Sequence, residues 1–248
     1  MTVITPYLDD DHLREECAVF GIYGTTDAAA HTALGLHALQ HRGQEATGIV
    51  ACNGEQFHAH RGLGHVGENF AGDNAGAVDK LIGYAAIGHN RYSTTGVPNL
   101  RNVQPLFADF EFGGLALCHN GNLTNALELR TQMVHEGSLF QSTTDSETII
   151  HLIARSRQAT VIDRVVDALR QIEGAYSVVC LTKNMVVGVR DPLGVRPLVL
   201  GQIGEAYILA SETCALDIIG ADFVRDIEPG EMVVLDDSGV HSIRPFAE

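Results

Sequence analysis

The constraint that weighs most on this chain is a succession of short, β-branched apolar runs, most of them bounded by Gly, Pro, Asn or Asp. They are AVFGIYG (18–24), GIVAC (48–52), AAIGHNRYS (85–93), GLALCHNG (114–121), YSVVCLT (176–182), MVVGVRD (185–191), PLVLGQI (197–203), AYILASE (206–212) and EMVVLDD (231–237). Runs of this length and punctuation read as strands. Many lie two to six residues apart, with KNM (183–185) and GQIGEA (201–206) as short connections, so antiparallel pairing is expected. Four segments have helical spacing instead: 27–43, 122–137, 144–156 and 161–174. Each of 27–43, 122–137 and 161–174 stops on a glycine, which suits a left-handed C-cap. Two tandem helices between blocks of strands suit helices layered on antiparallel sheets and do not suit a βαβ alternation. GLGHVG (62–67) matches the dinucleotide pattern GxGxxG. The ENFAGDNAG that follows is a poor helix start, so it reads as a glycine loop.

Composition narrows the function. A formal charge of −15, with 16 Lys+Arg, argues against a nucleic-acid or anionic-membrane surface, both of which need clustered positive charge. It leaves room for a small anion gripped by one or two arginines. No apolar run approaches the roughly 18 residues of a membrane span. The start, MTVITPYLDDDHLREE, lacks the basic head and apolar middle of a signal peptide, so the expected compartment is the cytosol. The cysteines, at 17, 52, 118, 180 and 214, are odd in number and widely spaced. Neither a disulfide framework nor a zinc knot is expected, and most should be small buried apolar side chains. His37 and His41 share a helix face without the Glu of HExxH, and His58 and His60 alternate on an expected strand. No metal centre is expected from either pair. Asp237-Ser238-Gly239 reads as a hairpin turn.

Four places carry sharper chemistry. Cys17 opens the first strand inside REECAVFGIYG. Arg91 stands in GHNRYSTTG just before a Ser/Thr/Gly bend. It is either a structural ion pair or a fork for a carboxylate. LALCHNGNL runs a strand into Asn120-Gly121, which is either a type I′ hairpin or a strand-to-helix bend. The bend would expose a side-chain amide and a glycine N–H, the two donors that an oxyanion hole needs. Thr144-Asp145-Ser146-Glu147 has the spacing of a capping box, with Asp145 in the first helical turn.

Taken in order, ECAVFGIYG, LQHRGQEATGI, GHNRYSTTG, CHNGNL, TTDSE and RDPLGVRPL resemble the glutamine amidotransferases of the N-terminal-nucleophile class. HRGQ, RYST and LASETCALDIIGADFVRDIEPGE bring the resemblance nearest to the glutaminase domain of the amidophosphoribosyltransferases. It covers residues 17–248. The resemblance implies an α+β fold: a four-layer α/β/β/α sandwich of two antiparallel sheets. It implies cleavage between Glu16 and Cys17, making 1–16 a propeptide and 17–248 the amidotransferase domain. Cys17 would then be nucleophile and, through its freed α-amine, base, hydrolysing glutamine by way of a thioester. A leader blocks this, because an amide nitrogen is not a base. Asn120 and Gly121 would hold the oxyanion. Arg91 would pair with the glutamine α-carboxylate and Asp145 with its α-ammonium. Tyr92, Thr94 and Arg42 would shape the pocket.

The family continues into a phosphoribosyltransferase domain that acts on phosphoribosyl pyrophosphate with Mg. No such domain fits before residue 248, so the expectation is part of a longer enzyme or a stand-alone glutaminase. No cofactor is expected in these residues. Some members carry an iron–sulfur cluster, whose ligands would lie beyond 248. The full-length parent is expected to be a homo-oligomer. The rival expectations are a sibling amidotransferase with another acceptor, or an unprocessed, inactive binding module.

Overall fold

The computed structural model describes residues 16–92 and 99–246. The described strands are β1 (Ala18–Tyr23), β2 (Ala46–Cys52), β3 (Phe57–Leu63), β4 (Ala85–Arg91), β5 (Leu106–Phe110), β6 (Gly113–Leu123), β7 (Gly174–Leu181), β8 (Val186–Arg190), β9 (Val199–Ile203), β10 (Ala206–Ala210), β11 (Asp222–Asp226), β12 (Met232–Asp236) and β13 (Gly239–Ile243). The helices are α1 (Ala28–Ala38), α2 (Val66–Phe70), α3 (Gly76–Asp79), α4 (Ala126–His135), α5 (Ser146–Arg155), α6 (Val161–Leu169) and α7 (Cys214–Ile219). One sheet runs β11-β9-β10-β1-β4-β2-β3 and the other β13-β12-β8-β7-β6-β5. All of their ladders are antiparallel.

Period-two alternation builds the layers. Ala18, Phe20 and Ile22 of β1 face one way and pack with Ala28, Leu36, Ala215 and Leu216 of α1 and α7. Val19 and Tyr23 face the other way and meet Val179, Leu181, Val186 and Val233 of the opposite sheet. On the far side, Ile149, Ile153, Val165 and Leu169 of α5 and α6 cover β6 and β7. The result is the four-layer α/β/β/α sandwich. Each fully buried Phe, Leu, Ile or Val contributes about 1.5–3 kcal/mol.

Several local expectations change. α1 ends at Ala38, and Gln40–Arg42 form a 3₁₀ turn. Gly43 is extended (φ −166°) rather than left-handed. It is needed for a different reason: a Cβ there would lie 2.7 Å from the Arg91 carbonyl carbon. Gly174 begins β7 instead of capping α6, which ends five residues earlier. Gly137 does take the left-handed conformation (φ +95°) behind α4. The stretch 62–67 is not all loop: β3 runs to Leu63 and a short helix, α2, starts at Val66, where Glu68 Oε2 accepts from His65 N at 2.8 Å. β6 continues to Leu123, so Asn120 and Gly121 lie within a strand and not at its bend. The expected capping box at 144–147 does not form. Glu147 accepts instead from Gln141 N, Ser142 N and Ser142 Oγ.

The sheets are also clasped at one edge. Glu231, just before β12, is buried and takes both Arg225 guanidinium nitrogens from β11, at 2.8 and 2.7 Å. It also accepts from Ser242 Oγ of β13 and from Glu228 N. Burial opposes ionisation of Glu231, but these donors win and hold its pKa down to about 2. A depressed carboxyl stabilises the fold above its ordinary value of 4.5, and that contribution is lost as pH falls toward about 2. Glu231→Gln is expected to lower stability at neutral pH by about 1–2 kcal/mol, because the buried carboxylate loses its charge-assisted hydrogen bonds while Arg225, 38% exposed, stays hydrated. Chemical denaturation at pH 7 measures this; equal midpoints for variant and wild type would contradict it.

Candidate active site

Alternation decides where the chemistry-bearing side chains point. Val19 of β1, Ile87 of β4 and Cys118 of β6 all lie in the core between the sheets. Two residues along β4 and β6, His89 and Asn120 face the same gap, and Arg91 follows His89; Cys17 directly precedes β1. β1 and β4 pair with Ala18 opposite Asn90, so Cys17 comes beside Arg91 at the strand ends. Asp145, the N-cap of α5, accepts from Leu123 N of β6 at 3.0 Å and closes the gap from the other sheet.

Cys17 is partly buried and sits at φ +63°, a left-handed conformation unusual for a non-glycine residue. Its Sγ lies between the main-chain groups of Tyr92: Tyr92 N donates to it at 3.4 Å, and it donates to Tyr92 O at 3.6 Å. Burial pushes the thiol pKa up, while the Tyr92 N–H and the Arg91 charge pull it back; Glu16 and Asp145 add to the rise. The Tyr92 ring itself is exposed. In this chain the Cys17 nitrogen is the Glu16–Cys17 amide, and it donates to Arg42 O at 2.8 Å.

Arg91 faces Glu45, its Nη1 3.6 Å from Glu45 Oε1. Asp145 is held ionised. Burial works to raise its pKa, but His119 and the N–H groups of Leu123 and Ser146 bring it below the usual carboxylate range. His119 Nδ1 lies 3.7 Å from Asp145 Oδ1 and 3.1 Å from Ser146 Oγ. Gln104 fixes His119 by accepting from its N–H at 2.7 Å. His89, fully buried between the sheets, reaches His119 O with Nε2 at 3.1 Å, and burial pushes its pKa down to about 3, so it stays neutral.

Asn120 is the anomaly. It is wholly buried, yet neither its Oδ1 nor its Nδ2 has a partner among the described residues. An unpaired buried amide costs about 1–3 kcal/mol and calls for an explanation. Gly121 beside it has φ +151°, and a Cβ there would fall 2.1 Å from Ala175 O of β7.

Of the residues singled out from the sequence, Cys17, Arg91, Asn120, Gly121 and Asp145 thus gather at one end of the inter-sheet gap. Tyr92 meets the thiol with its main chain. Arg42 is buried and turns its side chain to Cys17 O and Glu212. Thr94 lies outside the described residues. Glu45, Gln104, His119 and Glu212 were not singled out, although HRGQE, CHNG and SETC contain three of them. Cys52, Cys118 and Cys180 are buried, as expected of small apolar residues. Among the described residues no group of three His, Cys, Asp or Glu side chains could hold a metal ion, and no helix is long and apolar enough to cross a membrane.

A family model described as "Glutamine amidotransferase domain" matches residues 89–217, more than half of the chain. The chain belongs to the glutamine amidotransferase domain family. An amidophosphoribosyltransferase of Rhizobium etli is 56% identical over 227 residues, which are 92% of this amidotransferase chain and 45% of that protein. The solved structure of a glutamine phosphoribosylpyrophosphate amidotransferase from B. subtilis, complexed with ADP and GMP, has TM-score 0.88 and 45% identity. The match covers 94% of this chain and 50% of that one. The structure of an allosteric regulatory enzyme of purine biosynthesis has TM-score 0.89 at 45% identity, with the same coverages. The N-terminal-nucleophile sandwich is therefore the fold of this amidotransferase domain, and the chain spans about half the length of the curated relatives it matches.

Proposed function

We propose that this chain hydrolyses the side-chain amide of glutamine to glutamate and ammonia through a thioester on Cys17. The observation that carries the reading is the unpaired, buried Asn120 amide, set on the strand that faces Cys17, Arg91 and Asp145. Cleavage after Glu16 frees an amine with pKa of about 8 on the nucleophile's own residue. Its neutral form takes the thiol proton as Sγ adds to the amide carbon. Asn120 Nδ2 and Gly121 N hold the oxygen that becomes negative. The C–N bond then breaks, the ammonium of Cys17 returns the proton to the leaving nitrogen, and ammonia departs. Water attacks the thioester carbon, glutamate leaves, and the thiol is restored. Arg91 receives the α-carboxylate and Asp145 the α-ammonium, and the Tyr92 main chain positions Sγ.

The names of the relatives support a wider reading. The ammonia would pass to a phosphoribosyltransferase domain of a homo-oligomeric amidophosphoribosyltransferase in the cytosol. There it would join phosphoribosyl pyrophosphate to form phosphoribosylamine in purine synthesis. Mg, and any iron–sulfur cluster, would belong to residues outside this chain, and neither nucleic acid nor membrane is a partner.

The test is an assay of the protein whose first residue is Cys17. Equal amounts of ammonia and glutamate from L-glutamine are expected, and none from glutamine with its α-carboxylate amidated. Failure to release ammonia would overturn the reading. Arg91→Lys should raise the glutamine KM at least about tenfold with a smaller change in kcat, since a two-pronged fork becomes a point charge. An unchanged KM would remove Arg91 from the substrate site.

A further inference from the structure

We infer that Gln104 is a positioning residue that sets substrate length: its side-chain amide holds the oxyanion donors of β6 and the α-ammonium acceptor of α5 at the separation that fits glutamine. The inference deepens the proposed glutaminase reading and rests on the roles it gives Asn120 and Asp145.

Gln104 is buried in the segment that leads into β5. Its amide fits only one way round. The main-chain N–H of His119 can only donate, so it fixes Oε1 toward itself, at 2.7 Å. Nε2 then faces two acceptors, His119 O at 3.3 Å and Ser146 Oγ at 3.1 Å. Each partner is next in sequence to a residue assigned to the substrate: His119 precedes Asn120, and Ser146 follows Asp145. Ser146 is buried too. Its Oγ donates to Asp145 Oδ1 at 3.4 Å and lies 3.1 Å from His119 Nδ1.

The same segment braces the rest of the gap. Asn102 Nδ2 donates to Thr143 Oγ1 at 2.9 Å, and Asn102 Oδ1 accepts from Thr143 N at 3.0 Å, two residues before Asp145. On the other sheet, a Cβ on Gly48 of β2 would overlap Gln104 O. His89 of β4, opposite Gly48, reaches the same His119 O with Nε2 at 3.1 Å. Gln104 thus stands where both sheets and the start of α5 meet.

In the proposed reaction glutamine is read at both ends, its side-chain carbonyl by Asn120 and Gly121 and its α-ammonium by Asp145. The spacing of these receptors measures the chain between them. In a rigid site one methylene is worth about 10- to 200-fold, and a misplacement of about 1 Å costs about 100-fold. Receptors that drift relative to one another lose most on the substrate that fits best. Removing the clamp should therefore narrow the preference for glutamine length.

The experiment is a competition for Cys17, in folded protein that begins at that residue, between two L-amino acids with side-chain diazoketones. One has the length of glutamine, and the other is shorter by one methylene. In each reaction the thiol proton moves to the diazo carbon, sulfur bonds that carbon and N2 leaves. Peptide mass gives the ratio of the two adducts. Wild type should favour the longer reagent at least about tenfold. Gln104→Met, similar in length but without the amide, should cut that preference at least about fivefold. Ser146→Ala, which removes one arm of the clamp and little volume, should cut it at least about twofold. Val165→Ala, in the helix-covered core outside the gap, controls for lost stability and should keep the wild-type ratio. A purely structural role would make Gln104→Met less stable, as Val165→Ala is, and leave the ratio in place. A wild-type ratio in folded Gln104→Met, or in Ser146→Ala, would overturn this inference alone; should Gln104→Met not fold, Ser146→Ala decides. A wild type with no preference for the longer reagent would overturn the proposed roles of Asn120 and Asp145, and this inference with them.

Discussion

Cys17→Ala is expected to abolish ammonia release from glutamine while leaving the fold intact. The chemistry has no substitute for the sulfur. Cys52, Cys118 and Cys180 are buried elsewhere in the core, with their thiol pKa values pushed up by burial. Cys214 is also raised by burial and lies behind Arg42 and Glu212, not in the gap. Among the described residues the Cys17 side chain bonds only the Tyr92 main chain, through long sulfur contacts. Its loss should cost less than about 1 kcal/mol of stability. Circular dichroism and thermal melting check the fold, and ammonia release checks the activity. Turnover near wild type in this variant would refute the assignment of the nucleophile.

Asn120→Ala should cost about 100- to 1000-fold in kcat with little change in KM, because the amide is used only once charge develops on the substrate oxygen. Stability should hold or rise in the same variant. The amide makes no hydrogen bond among the described residues, so removing it relieves a buried, unsatisfied polar group. Function and stability are thus expected to move apart at this residue. Loss of both together would show that Asn120 is a structural anchor with partners the site does not reveal. Gly121→Ala makes the contrast. Its new Cβ would strike the β7 backbone at Ala175 O, so that variant should lose stability together with activity.

Much of the sandwich was legible because strands punctuated by turns announce themselves locally. All nine runs read as strands became strands, and β3 with its His58 and His60 was anticipated too. β5 and β11 carry no such signal. LFADF and DFVRD are edge strands, with several exposed or half-exposed residues and little apolar alternation to detect. The roles of glycines proved less legible than their presence. Gly43 and Gly174 looked like helix caps, but backbone from a distant strand crowds each of them. Within the site, groups quoted as motifs were found together, since each lies at or near the end of a strand or helix. The supporting shell was hidden for a simple reason. Gln104 supports His119, and Glu212 supports Arg42, across sequence gaps that no local pattern spans.

The central claim is that the thiol and the base that activates it belong to one residue. Its most direct test is the intact mass of protein that turns over glutamine, before and after treatment with a γ-electrophilic glutamine analogue. The expected result is a chain lacking residues 1–16 that gains a single adduct, on Cys17. Full turnover by protein still carrying Met1 through Glu16 would contradict the account.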